Sequence, residues 1–142
     1  MTIAAILGHK GAEVITITAD TPVSRAVAIL AERRIGAAPV VDADRIAGVF
    51  SERDVIQGLA GGADGLLDQP VRTVMTAPAV TVSPHDSVLG ALSLMTLRRI
   101  RHLPVVEGER LVGIVSIGDL VKYRIDRIEA EAAAMRDYIQ QA

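Results

Sequence analysis

The chain has 142 residues, no Cys or Trp, one Phe, two Tyr, an apolar half and a formal net charge of −2. That length fits one compact domain or two very small ones, and the missing cysteines exclude disulfides, thiolate metal sites and thiol nucleophiles. Near-neutral charge and 2% aromatic content argue against nucleic-acid binding, which wants a basic field or stacking platforms.

No apolar run approaches the ~20 residues of a membrane span, and Met1 to Lys10 lacks a signal-peptide pattern. We expect a soluble cytoplasmic protein with no membrane partner.

Taken along the chain, an internal repeat sets the organisation. Ile15 to Val55 aligns without a gap on Val80 to Leu120 at a constant offset of 65, with 13 identities in 41 positions, among them Arg33/Arg98, Arg34/Arg99, Pro39/Pro104, Gly48/Gly113, Ser51/Ser116 and Asp54/Asp119. Upstream the register breaks, and Ile6-Leu7 is equivalent to Val74-Met75.

Each copy reads the same way. A short strand, Val14 to Ile17, precedes a helix opened by Thr21-Pro22, where Thr caps and Pro suits the first turn. Val23, Ala26, Val27 and Leu30 then give one apolar helix face. In the second copy Asp86 takes the capping position ahead of Val88, Ala91, Leu92 and Met95.

Two β-rich runs follow, Pro39 to Val41 and Ile46 to Phe50 around the turn Asp42 to Arg45, matched by Pro104 to Val106 and Leu111 to Val115 around Glu107-Gly108-Glu109. A further helix closes each copy, so the order is β-α-β-β-α twice. Two copies of roughly 50 residues are too small to stand alone and should share one core. The stretch Gly58 to Gly65 has a linker's composition.

This pattern resembles a tandem pair of cystathionine-β-synthase (CBS) domains, the regulatory module that binds adenosine-containing ligands. The residues that carry the resemblance are Pro39-Val40-Val41-Asp42 before Gly48-Val49-Phe50-Ser51-Glu52-Arg53-Asp54, and Leu103-Pro104-Val105-Val106 before Gly113-Ile114-Val115-Ser116-Ile117-Gly118-Asp119, with Val71 to Thr76 leading into the second copy. It covers about residues 3 to 125. The implied fold is α/β (α+β), two β-α-β-β-α repeats packed as a pseudo-twofold pair with a C-terminal helix. The divisions are residues 1–60 for the first domain, 61–69 for a linker, 70–125 for the second domain and 126–142 for a helical tail.

The resemblance implies two clefts between the copies for AMP, ADP, ATP, NAD or S-adenosylmethionine. Asp54 and Asp119 would each accept from a ribose diol, and Ser51 and Ser116 would lie near phosphate or ribose. The chemistry is consistent, since a carboxylate offers two acceptor oxygens and a helix start offers unpaired amides. Ser-x-x-Asp also reads as a capping box, which needs no ligand. Gly48 and Gly113, inside strands, mark close approach of a backbone or a ligand.

Further positions follow from the same resemblance. Arg53, where the second copy has Gly118, would pair with phosphate or stay solvated. The Asp54 cleft would gather Arg53, Arg101 and His102; the Asp119 cleft would gather Gly36, Ala37 and Lys10. Ile15, Ile35, Val80 and Ile100 would supply aliphatic contacts, and the two clefts would bind unequally.

Arg98 and Arg99 suit a helix end, as Arg33 and Arg34 do. His9, His85 and His102 lack ligand spacing for zinc, and no catalytic triad or P-loop pattern is present. We read a stand-alone bacterial-type binding module, not an enzyme, with no catalytic cofactor. The alternative is a ligand-free structural dimerisation or protein-interaction module. Val121, Ile125, Ile128, Ala132, Met135 and Ile139 step by 4, 3, 4, 3, 4, a heptad seam. It points to a homodimer, and output would pass through an effector protein.

Overall fold

The computed structural model describes residues 1–11, 13–62 and 64–141. Helix α1 (Ile3–Lys10) precedes the first repeat, which runs β1 (Ile17–Thr18), α2 (Val23–Arg33), β2 (Ala37–Asp42), β3 (Arg45–Ser51) and α3 (Glu52–Ala60). Two short 3₁₀ turns, Leu66–Asp68 and Val71–Thr73, lead to the second repeat, α4 (Val88–Arg98), β4 (His102–Glu107), β5 (Arg110–Ser116) and α5 (Ile117–Gln141). In the first sheet β1 pairs parallel to β2 and β2 antiparallel to β3; in the second, β4 pairs antiparallel to β5.

Both hairpins carry an irregularity at the same place, Val40/Val41 and Val105/Val106, so the repeat in sequence is a repeat in register. Other details shift. The first strand is only Ile17–Thr18, and its counterpart shrinks to a single Val82–Val105 bridge. Both helices start one residue later than expected, at equivalent positions. Pro22 occupies the N-cap of α2, and the Thr21 hydroxyl instead meets that of Thr18 at 2.7 Å. Ser87, not Asp86, caps α4 by accepting from the Gly90 amide at 2.9 Å. Asp86 accepts from the Ser83 amide at 2.8 Å, one turn too early to serve the helix.

Arg34 and Arg99 end their helices in the left-handed region, at φ 54° and 55°. Gly58 lies inside α3, not in a linker. A Cβ there would stand 2.9 Å from the Leu66 side chain, so the helix packs closely on the buried Leu66. Ala63 of the expected linker, and Ala12 and Ala142, lie outside the described residues.

The expected single shared core is replaced by two clusters. One is built on Ile17, Val23, Ala26, Leu30, Val40 and Phe50, the other on Val88, Ala91, Met95, Leu103, Val105, Val115 and Leu120. Each is completed by a segment from outside its repeat. Leu66 and Val71 close the first, and Ile3 and Ile6 of α1 close the second.

The two closing segments dock in the same way. Val71 and Arg72 donate to the Thr21 and Ala19 carbonyls as Ile3 and Ala4 donate to those of Asp86 and Pro84. Val23 and Val88 return bonds to Gln69 and Met1. A small repeat that buries too little surface by itself is thus completed by chain borrowed from across the molecule.

Gly48 and Gly113 sit under those segments. A Cβ at Gly48 would stand 2.6 Å from the Thr76 carbonyl oxygen, and one at Gly113 would stand 2.7 Å from a Leu7 methyl. The close approach is backbone in one copy and side chain in the other. Between the repeats, Arg45 pairs with Glu109 at 2.8 Å and β3 contacts β5.

Candidate ligand-binding site

At each β-to-α junction the chain passes from an extended Ser into a helix, which turns the Asp three residues on back towards the Ser amide. Asp54 Oδ2 accepts from the Ser51 amide at 2.8 Å and its hydroxyl at 3.2 Å, while Oδ1 accepts from the Thr76 hydroxyl at 2.8 Å. Asp54 is only 6% exposed. Its carboxylate is fully partnered, as a buried charge must be.

The second junction repeats the cap and changes the visitor. Asp119 accepts from the Ser116 amide at 2.8 Å, and its own amide donates to the Ser116 hydroxyl at 3.1 Å. Lys10 Nζ, from the end of α1, lies 2.6 Å from Asp119 Oδ2 and 2.9 Å from the Ile114 carbonyl. Burial pushes the Asp119 carboxyl up, but the bonds from Lys10 and Ser116 outweigh it and leave it below the ordinary value.

A cavity of about 290 Å³ opens between the repeats and gathers Gly36, Ala37, Ser51, Arg53, Val80, Ile100, Arg101 and His102. Val49, Glu52, Gln57, Thr76, Pro78, Ala79 and Arg98 complete its wall. The grouping differs from the expected one. Gly36 and Ala37 stand with the basic residues, because the hairpin start holds Gly36 beside Glu52 and His102, 2.9 and 3.4 Å from where a Gly36 Cβ would be. Thr76 and Arg98 were missed by sequence reasoning; Thr76 reaches the first junction only through the fold, where its hydroxyl donates to Asp54.

The remaining expected residues fall elsewhere. Asp54 is buried behind Ser51. Asp119 and Lys10 line a separate cavity of about 360 Å³ with Ile6, His9, Lys122, Tyr123, Asp126, Arg127 and Ala130. Ser116 ends β5 and Gly118 lies in the first turn of α5. Ile35 lines an apolar groove between α2 and α3 with Leu30, Val55 and Ile56, and Ile15 is half-buried ahead of β1.

Charge in the cavity is one-sided. Arg53, Arg98 and Arg101 face one carboxylate, Glu52. Arg53 is braced across the repeats by donating to the Arg99 carbonyl at 2.9 Å, an orphan acceptor at the end of α4. Burial, then the Arg101 charge, holds the His102 imidazole below its ordinary value against the opposing pull of Glu52 and Asp119. Aliphatic surface from Val49, Val80 and Ile100 beside three guanidinium groups suits a ligand that is apolar at one end and anionic at the other. Among the described residues there is no His, Asp and Glu cluster able to hold a metal, and no helix is long and apolar enough to cross a membrane.

Comparison with known proteins agrees with this architecture. The CBS domain family model matches residues 10–61 and 71–126. The CBS domain-containing protein YhcV of Bacillus subtilis is 33% identical over 122 residues, 85% of this chain and 86% of that protein. An uncharacterized 33.4 kDa protein of Thermofilum pendens is 44% identical over 98 residues, and the match takes in 68% of this chain but only 32% of that longer protein.

Among solved structures, the CBS-domain containing protein ATU1752 of Agrobacterium tumefaciens superposes with a TM-score of 0.83 at 38% identity, over 87% of this chain and 99% of that one. The CBS domain protein PAE2072 of Pyrobaculum aerophilum, solved in complex with AMP, superposes with a TM-score of 0.74 at 28% identity, over 84% and 89%. With two matched segments, a repeated register and neighbours covering most of its length, the chain belongs to the CBS-domain family as a tandem pair.

Proposed function

We propose that the chain is a regulatory module that binds an adenosine-containing ligand with at least one phosphate, of the AMP, ADP, ATP or NAD class, in the cavity between its repeats. The observation that carries this reading is the meeting of Arg53, Arg98 and Arg101 with Ser51 and the aliphatic wall of Val80 and Ile100 in one cavity. The AMP complex of the Pyrobaculum relative supports the ligand class. Phosphate would be met by the guanidinium groups, while adenine would rest largely on aliphatic surface, since no Phe or Tyr is among the described residues that line the cavity.

The clefts are unequal in this reading. Lys10 occupies the Asp119 carboxylate, so the second cleft is closed to a ribose diol until that ion pair opens. The module works as a homodimer, and a ligand shifts its state only by its differential affinity for two arrangements. An effector protein then reads the change. No step here is catalytic.

One observation favours a second reading, a ligand-free structural dimerisation module: both junction carboxylates are already satisfied from within, by Thr76 and by Lys10. A thermal-shift panel of AMP, ADP, ATP, NAD and S-adenosylmethionine separates the two. Ligand at ~100-fold its Kd stabilises by about 2.7 kcal/mol. An upward shift that disappears in Arg101→Ala supports the binding module; a flat response from the folded protein supports the structural one.

A further inference from the structure

We propose that the outward face of α5 pairs in parallel and in register with α5 of a second copy, as a short coiled coil. This rests on the dimer reading above and is independent of any ligand. The placement of the helix carries the first part of the argument. Leu120 is fully buried, Tyr123 packs on the second core, and Asp126, Arg127 and Ala130 face the cavity beside α1. With Val121, Ile128 and Met135 at d and Ile125, Ala132 and Ile139 at a, those inward residues are b, c and f positions. The side of the helix opposite the seam thus turns towards the body of the protein as far as Ala130, with Leu120 and Tyr123 packed on it and Asp126 and Arg127 still exposed.

The seam itself is left bare. Exposure runs from 42% at Val121 through 49% at Ile125 and Ile128 to 60% at Met135 and 64% at Ile139. Apolar residues at a 3.5-residue period select another helix as the covering surface, since only a supercoiling partner stays on the stripe.

Charge complementarity points to a second copy of the same helix as the occupant. In a parallel pair the g residue of one heptad faces the e residue of the partner's next heptad. Arg124 at g then meets Glu129 of the partner subunit, and Glu131 at g meets Arg136 of the partner subunit. Twofold symmetry doubles both contacts. Every charged g-to-e pair that this alignment makes is of opposite sign, so two copies running in the same direction and in register complement each other along the whole seam.

The absence of cysteine supplies a clean test in the full chain. Ile128→Cys and Met135→Cys, both at exposed d positions, are oxidised under mild conditions beside Leu97→Cys, a 79% exposed control on α4, with sedimentation run on the unmodified protein. Expected are a dimer in sedimentation and efficient self-disulfides at both 128 and 135 but not at 97. Arg124→Glu should weaken the dimer about tenfold, and Arg124→Glu with Glu129→Arg should restore it. A monomer at micromolar concentration overturns this proposal and the dimer reading together. A dimer in which neither d-position cysteine joins, only one does, or Leu97→Cys joins as readily overturns the coiled coil alone.

Discussion

Lys10 Nζ lies 2.6 Å from Asp119 Oδ2, where the equivalent carboxylate of the first repeat, Asp54, receives the hydroxyl of Thr76 at 2.8 Å. Both donors come from the segment that completes the repeat from outside. One is a neutral hydroxyl on a 6% exposed carboxylate; the other is an ammonium on a carboxylate whose side chain is 27% exposed. The repeats are related in backbone and differ in the charge that closes them.

Lys10→Met tests that difference. At neutral pH the variant should lose about 1 kcal/mol or less in chemical denaturation, as befits a partly solvated pair. Because the folded Asp119 value is depressed, the contribution is present above the unfolded value of about 3.9 and fades as pH falls through the folded one. Variant and wild type should therefore converge in acid. Under the proposed function the variant also opens the second cleft, and nucleotide stoichiometry should rise from one towards two per chain; an unchanged stoichiometry would remove Lys10 as the closing group.

The equivalent glycines should tolerate a methyl unequally. At Gly48 the added carbon meets the Thr76 carbonyl, which accepts from the Val49 amide while the Thr76 amide donates back to the Val49 carbonyl, whereas at Gly113 it meets the tip of the Leu7 side chain. Backbone cannot step aside and a leucine methyl can. Gly48→Ala should cost about 1–3 kcal/mol, the range of overpacking, and Gly113→Ala distinctly less. Equal costs in thermal or denaturant unfolding would contradict the packing described.

His102 gives a pH dependence of the opposite origin. Its imidazole is held below the ordinary value by burial and Arg101, so the unfolded chain takes up a proton that the folded chain refuses. Stability should fall as pH drops below about 6.5 and level off under the folded value. His102→Gln should flatten that segment of the stability profile. A phosphate in the cavity would raise the His102 midpoint, which its ring proton resonances report directly; a midpoint that ligand leaves unmoved would place the phosphate elsewhere.

Arg101→Ala should separate the two ends of the ligand. A charged hydrogen bond is worth about 1.5–3 kcal/mol, so AMP affinity should fall roughly 10- to 150-fold while adenosine, lacking phosphate, binds almost as before. Arg53→Ala should act in the same direction and also release the Arg99 carbonyl. Equal losses for AMP and adenosine would mean a damaged cavity and not a lost phosphate contact.

Much of the fold was legible because the repeat is ungapped where the hairpins are. Pro39 to Val41 and Pro104 to Val106 fixed two strands, and the shared offset carried even the irregularity after Val40 and Val105. Ser51-x-x-Asp54 and Ser116-x-x-Asp119 announced both junctions. What stayed hidden depends on distant chain. Nothing local to Ile3 and Ile6 says that they fill the second core, and nothing local to Gly58 says that Leu66 will press on it. Thr21 and Asp86 were plausible caps by type, but the helices begin one residue later. Gly36 and Ala37 were placed with the wrong carboxylate for the same reason. Their neighbours, Glu52 and His102, are set by how the hairpins of the two repeats meet.

Isothermal titration of the full chain with AMP, ADP, ATP and NAD tests the central claim most directly. The account predicts saturable binding of at least one of them near one equivalent per chain, lost in Arg101→Ala with folding retained. Absence of binding by the folded wild type across the panel, or two equal sites per chain, would contradict it.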